Sequence, residues 1–295
     1  MERPVEWPTL IMLALVYLLW ALGVTWIAAL WLPLGMVVVT LCIAQHSSLT
    51  HEVLHGHPFR NQRLNEALVF PCLGLLVPYL RFRDLHLEHH RDSLLTDPYD
   101  DPETNYMDPK VWHRLPRWIR VVLMFNNTLL GRVVVGPLVG QIMFMRADWR
   151  AIRSCDAAAL RGWLWHIPAV ALVLWVLSYG VMPIWAYLIC TYVAFSILKI
   201  RTFLEHRAHE RCSGRTVVIE DRGPLALIFL NNNYHVVHHM HPKEPWYRLP
   251  GLYARNRAHY LNRNDNYVYL SYAQIIRRYF LRAKDPVPHP LWPKP

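Results

Sequence analysis

The chain carries 17 histidines, and eight of them fall into three short groups. His51 and His55 lie in HEVLH, His86, His89 and His90 in HLEHH, and His235, His238 and His239 in HVVHH. Imidazole is used chiefly for proton transfer and metal binding. Residues three and four apart share a face of a helix. HxxxH therefore aims two imidazoles the same way, and HxxHH adds a neighbour to such a pair. Three arrays of this kind can surround metal with nitrogen donors. A structural zinc takes four ligands, so eight donors suit two ions, and imidazole suits iron or a related transition metal. His206, in RTFLEHR, is a ninth candidate, and His209 follows three residues later.

These arrays are far apart in the sequence, so other elements must bring them together. The chain has 31 Lys and Arg, yet none lies between Arg3 and Arg60 or between Arg161 and Lys199. Each gap has room for two membrane spans of about 20 apolar residues and a turn. The predicted spans are Pro8–Leu32, Leu34–Thr50, Gly162–Ser178 and Met182–Lys199, turning near Pro33-Leu34-Gly35 and Tyr179-Gly180-Val181. Both turns are uncharged, so the basic residues share one side. The positive-inside rule makes that side the cytoplasm and places both termini there.

The expected fold is an all-α integral membrane protein, one domain over residues 1–295. It has four transmembrane helices in two hairpins and a cytoplasmic helical cap of residues 51–63, 81–117 and 200–295. The run 64–80 is broken by Pro71, Gly74 and Pro78, which points to a re-entrant or interfacial segment. Residues 118–145 are apolar but hold Asn126, Asn127 and Arg132, as expected of one or two amphipathic helices on the membrane surface. A further helix is predicted over 224–239. On this topology every box histidine, and His206, reaches the cytoplasmic face.

The first span is too long and too uncharged at its start for a cleaved signal peptide, and no cleavage site follows it. The net charge of +10 flanks membrane segments, which favours anionic lipid headgroups over nucleic acid. The five cysteines are scattered, form no CxxC pair and read as free thiols. The sequence has no glycine-rich flavin or nicotinamide fingerprint and no cysteine cluster for an iron–sulfur centre.

The order HEVLHGH, HLEHH, NNNYHVVHHMHP, with each box beside membrane helices, resembles the integral-membrane fatty acid desaturase and hydroxylase superfamily. LTDP after the second box and PWYRLP after the third are similar to the short bacterial branch, with its carotenoid ketolases and rhizobitoxine-type desaturases. The resemblance covers about residues 8–252. It implies a non-haem di-iron centre held by His51, His55, His86, His89, His90, His235, His238 and His239, with His206 as an additional ligand after the fourth span. His57, His209 and His241 lie outside the box pattern. It also implies O2 as co-substrate and electrons from a separate donor: a ferredoxin, a rubredoxin-like protein, or a cytochrome with its reductase. The implied reaction is O2-dependent desaturation of a fatty acyl or lipid-like chain in a bacterial inner membrane. Hydroxylation, ketolation, or desaturation of a small amino-acid-derived substrate are alternatives on the same centre.

Carboxylates and amides near the boxes are candidates to orient the ligands: Glu52, Glu88, Asp84 and Asn232, with His209 beside His206. Asp92 and Asp97 flank the second box. The acidic loop 92–108 either accepts an amine or forms solvated turns. HEVLH also matches the zinc metallopeptidase motif with Glu52 as base, which would leave six box histidines without a task. A metal transporter would place its ligands near the bilayer midplane, whereas these cluster at one face.

Overall fold

A computed structural model of the protein describes residues 5–91 and 93–293. Asp92 lies outside the described residues. The described residues are mostly helical, joined by irregular chain, with two-residue strands Val218–Ile219 and Val268–Tyr269 paired in parallel. Among the described residues, four helices are long and apolar enough to cross a membrane: Trp7–Leu30, Leu32–Leu54, Ala157–Ser178 and Ile184–Arg201. They match the four predicted spans, with altered ends. The first break comes at extended Trp31, and Pro33 opens the next helix instead of turning it, since proline is tolerated in a first turn. The second helix continues past Thr50 to Leu54, so HEVLH is the last turn of a span. The third begins five residues early because Asp156 caps the amides of Ala158 and Ala159.

The chain divides into two compact units. The first comprises residues 5–83 and 139–197 and contains most of the four spans. Its first two helices approach closely at Gly35, where an added Cβ would meet Ala28 Cα at 2.8 Å and the Gly23 carbonyl at 2.9 Å. The predicted re-entrant run is a short helix, Gln62–Leu68, followed by irregular chain up to the helix Tyr79–His89. Bare carbonyls in irregular chain need partners, and three of the spans and the helix Gly136–Arg153 supply them. Tyr17 donates to the Leu68 carbonyl (2.6 Å), Tyr187 to Leu73 (2.7 Å) and His166 to Leu75 (3.0 Å); Gln141 donates to Leu76 (3.1 Å).

At the end of this segment the buried Arg81 guanidinium grips Asp148, donating from Nη2 at 2.8 Å and Nε at 3.0 Å. Trp163 Nε1 also donates to Asp148, at 2.8 Å. Gly162 makes room, because a Cβ there would come within 2.8 Å of Arg81 Cγ. This latch anchors the start of the helix that carries the second box.

The second unit comprises residues 84–138 and 198–293. The run 118–145, expected as one or two helices, is three: Arg117–Asn126, Leu129–Val134 and Gly136–Arg153, the last lying mostly in the first unit. The breaks come where Thr128 caps the Gly131 amide and at Val135, just before Gly136. The predicted helix 224–239 is two, Pro224–Ile228 and His235–Met240. Leu230 and Asn231 adopt the left-handed conformation (φ 49° and 55°), which ends one helix before the next. The core of this unit packs Val218, Tyr234, Val236, Val237, Leu249 and Tyr253 around the third box.

Candidate metal centre

Seven of the nine candidate ligands lie in the second unit, where they form two adjoining groups. His86 lies in the last turn of Tyr79–His89 and His90 just past its end, and His238 comes from His235–Met240. His90 Nε2 lies 3.0 Å from His86 Nε2 and 3.1 Å from His238 Nε2. The other group is His89, His206, His235 and His239, whose donor atoms all lie within 4.8 Å of one another. His206 Nε2 is 2.9 Å from His89 Nε2 and 3.1 Å from His235 Nε2. The groups touch through stacked His90 and His239 rings, 4.3 Å between centroids.

In His86, His89 and His235 the ring nitrogen facing away from these groups has a partner. His89 Nδ1 donates to Asp101 at 2.7 Å, and His86 Nδ1 to Glu103 at 2.8 Å. His235 Nδ1 donates to Asn232 Oδ1 at 3.2 Å. A carboxylate only accepts, so the proton of His86 and of His89 sits on Nδ1, leaving an Nε2 lone pair directed inward when the ring is neutral. One Nε2 atom cannot serve two ring-nitrogen neighbours as a normal hydrogen bond, yet His90 and His206 each have two. Imidazole nitrogens bound at about 2.0–2.1 Å to one ion and at right angles lie about 3 Å apart. The spacing, tautomers and donor type fit a metal in each group.

The electrostatics agree. Burial and the neighbouring histidines push His206 and His235 well below the usual imidazole range, so both are neutral donors. Burial also opposes a charge on His89, but Glu103 and Asp101 outweigh it and raise it to about 9. Burial resists ionisation of Glu103, yet His89 and His86 pull its carboxyl far below the usual carboxylate range. Glu205 is raised by burial although Arg201 pairs with it at 3.1 Å, and it accepts from Asn232 at 3.4 Å.

In the first unit, His51 and His55 occupy the last turn and cap of the second span, with rings 5.0 Å apart. Glu52 lies with Glu6 and His57 in a separate buried group, where His57 Nδ1 donates to Glu6 at 2.6 Å. Among the other orienting candidates, Asn232 lies against His235. Glu88 is exposed and pairs with Arg91 at 3.8 Å. Asp84 is half-buried on the second-box helix. His206 and His209 do not share a helical face. The helix ends at Arg201, and His206 forms an antiparallel bridge to Thr216. His209 faces Asp265 at 3.1 Å, away from both groups.

Sequence reasoning missed Asp101, Glu103 and Glu205 as partners of the ligands. Asp101 is 3% exposed, so it is neither a solvated turn residue nor available to a substrate amine. The available signal was that ligand histidines need outer acceptors, and the acidic loop directly follows the second box.

The fatty acid desaturase family model matches residues 25–271, across all three boxes and the chain that links them. The chain belongs to the fatty acid desaturase family. Two beta-carotene ketolases from Paracoccus are similar to it. One, from strain N81106 / MBIC 01143, is 24% identical over 234 residues, covering 78% of this chain and 76% of the relative. The other, from strain PC1, is 24% identical over 225 residues, covering 75% and 74%. Family and relatives make the protein a membrane oxidoreductase. The metallopeptidase reading of HEVLH gives way to a match that takes in every box.

Proposed function

We propose that this desaturase-family protein is a non-haem di-iron enzyme that uses O2 and external electrons to oxidise an unactivated C–H bond of an apolar, membrane-borne substrate. The observation that carries this reading is the convergence of histidine Nε2 atoms in two adjoining groups, with outer nitrogens held by Asp101, Glu103 and Asn232. His86, His90 and His238 would hold one ion, and His89, His206, His235 and His239 the other. The order of the boxes adds His51 and His55 to the ligand set. Two irons so held would supply the O2 activation that C–H oxidation needs.

The protein's own residues do the rest. Asp101 and Glu103 hold the Nδ1 protons of His89 and His86, so these rings neither flip nor change tautomer. Burial keeps His206 and His235 unprotonated and able to bind metal. The spans pair as two hairpins with the boxes at the cytoplasmic face of a bacterial inner membrane. Electrons come from an acidic carrier such as a ferredoxin, a rubredoxin-like protein or a cytochrome.

Desaturation of a fatty acyl or lipid-like chain is the reaction proposed first. Ketolation of a carotenoid is the second reading, favoured by relatives named beta-carotene ketolases that align over three-quarters of both chains. Product analysis with each substrate separates them: desaturation removes two hydrogens, whereas ketolation replaces two with a carbonyl oxygen. Metal analysis tests the centre itself. About two irons per chain, lost in His235→Ala and His238→Ala, is the expected result. A single zinc retained in both variants would refute the di-iron reading.

A further inference from the structure

The second unit has a cationic cavity that the proposed chemistry does not use. Its volume is about 360 Å³, and Arg207, Arg278, Lys284, Tyr267, Tyr279 and Asp285 are among the residues lining it. Arg207 lies over the Tyr267 ring at 4.4 Å, and Arg278 over Tyr279 at 5.2 Å. Lys284 forms the floor, with a side chain 4% exposed whose ammonium donates to the His206 carbonyl at 3.0 Å. The single acid, Asp285, is already engaged: it accepts from Tyr106 at 2.5 Å and sits 4.0 Å from Lys284. Arg278 makes no hydrogen bond or ion pair among the described residues. Arg207 lies 3.9 Å from Asp265, just outside the lining, so Arg278 is the cation left without an acid and the cavity keeps an excess of positive charge.

The surroundings of the cavity are apolar. Arg278 lies on the helix Tyr272–Tyr279, whose exposed side also shows Ile276, and Phe280 and Leu281 follow it. Leu281 is 71% exposed and Leu270 67%. Arg277 and Arg282 stand beside them, exposed and without ion pairs among the described residues. This patch continues into a second apolar surface. The Leu130 amide donates to the Phe280 carbonyl (2.9 Å), and the Lys284 amide to Asn127 (3.2 Å). These bonds place the patch beside the helix Arg117–Asn126, which exposes Trp118, Val121 and Phe125 next to Arg117 and Arg120. Apolar side chains bordered by arginines are the pattern of a surface seated at the headgroup level of a bilayer.

We infer that the cavity is a binding site for an anionic phospholipid, its phosphate between Arg278, Arg207 and Lys284 and its acyl chains along Phe280 and Leu281. Residues 270–282 thereby join the helix Arg117–Asn126 as a membrane-contacting collar of the second unit. An acidic protein is the poorer occupant, because a soluble partner would leave Leu270, Phe280 and Leu281 in water. The inference does not depend on the metal centre.

Lipid retention tests the site. Full-length protein is exchanged from detergent into mixed phosphatidylglycerol and phosphatidylcholine, and bound lipids are counted by native mass spectrometry. Arg278→Glu should lower the preference for phosphatidylglycerol at least threefold, Arg278→Lys should lower it less, and Arg255→Glu on another exposed helix should not change it. A spin label at Leu281→Cys, in protein with Cys155→Ser, should be reached by O2 and shielded from a water-soluble nickel relaxant in nanodiscs. An unchanged lipid preference in Arg278→Glu, or a water-exposed label, would overturn the site. Displacement of the lipid by an equal concentration of inorganic phosphate would show a free-anion site instead. Loss of ferredoxin binding in Arg278→Glu with lipid preference intact would reassign the cavity to an electron carrier.

Discussion

Asp101 offers a sharp test of how the centre is built, because its neighbour Asp100 is a matched control. Asp101 Oδ1 accepts from His89 Nδ1 at 2.7 Å and from the Glu103 amide at 3.0 Å, and Oδ2 accepts from the Thr96 amide at 2.8 Å. Asparagine keeps the shape but has one acceptor oxygen. Whichever way it turns, its NH2 faces one of these donors, and His89 also loses a buried negative charge. Loss of such an outer partner lowers metal affinity about 10- to 100-fold, or about 1.4–2.8 kcal/mol at 1.4 kcal/mol per decade. That range matches the roughly 1.5–3 kcal/mol of a hydrogen bond to a charged group. Asp101→Ala should fall at the upper end, since it also releases the Thr96 and Glu103 amides. Asp100 is exposed, and Asp100→Asn should bind as the parent does. The assay is competition for iron between metal-free protein in detergent and a chelator of known affinity. Parent-like binding by Asp101→Asn, or equal weakening by Asp100→Asn, would refute the claim that this carboxylate holds His89 for the metal.

Other consequences follow from the same geometry. Asp148→Ala strands the buried Arg81 guanidinium and the Trp163 N–H; breaking a buried pair costs about 3–5 kcal/mol, and a thermal-shift assay in detergent should show a clear drop in melting temperature. Gly35→Ala drives a Cβ into the backbone of the neighbouring helix and should cost about 1–3 kcal/mol, read in the same assay. His206→Ala should lose metal while His209→Ala retains it, because only His206 shares a group with His89, His235 and His239; equal loss in both would show that His209 matters. The raised His89 adds a pH dependence with a defined sign. Its stabilising proton in the metal-free protein is fully present below the ordinary value of about 6.5 and is lost as pH rises through about 9. Metal must displace that proton, so iron affinity should climb between about pH 6.5 and 9 in a chelator competition, and a flat profile would contradict the assignment.

Histidine spacing and the two gaps without Lys or Arg were enough to reach the family and four apolar helices long enough to span. Both are local signals: a ligand pair needs one helical turn, and a span needs one apolar run. Box residues His86, His89, His90, His235, His238 and His239 come together from patterns visible within five residues each. What the tertiary structure decided depends on long-range contacts with no local pattern. Asp101 and Glu103 look like turn residues until the chain folds them onto His89 and His86. His206 was separated from His209 by a bridge to Thr216, not by any helical period. The irregular chain after Leu68 holds its place because Tyr17, Gln141, His166 and Tyr187, distant in sequence, each donate to one of its carbonyls. The sequence by itself therefore determined which groups can bind metal and which segments can enter a membrane. Only the tertiary structure decided which acceptor orients each imidazole, because a buried N–H takes whatever acceptor the packed chain brings within reach, at any separation along the sequence.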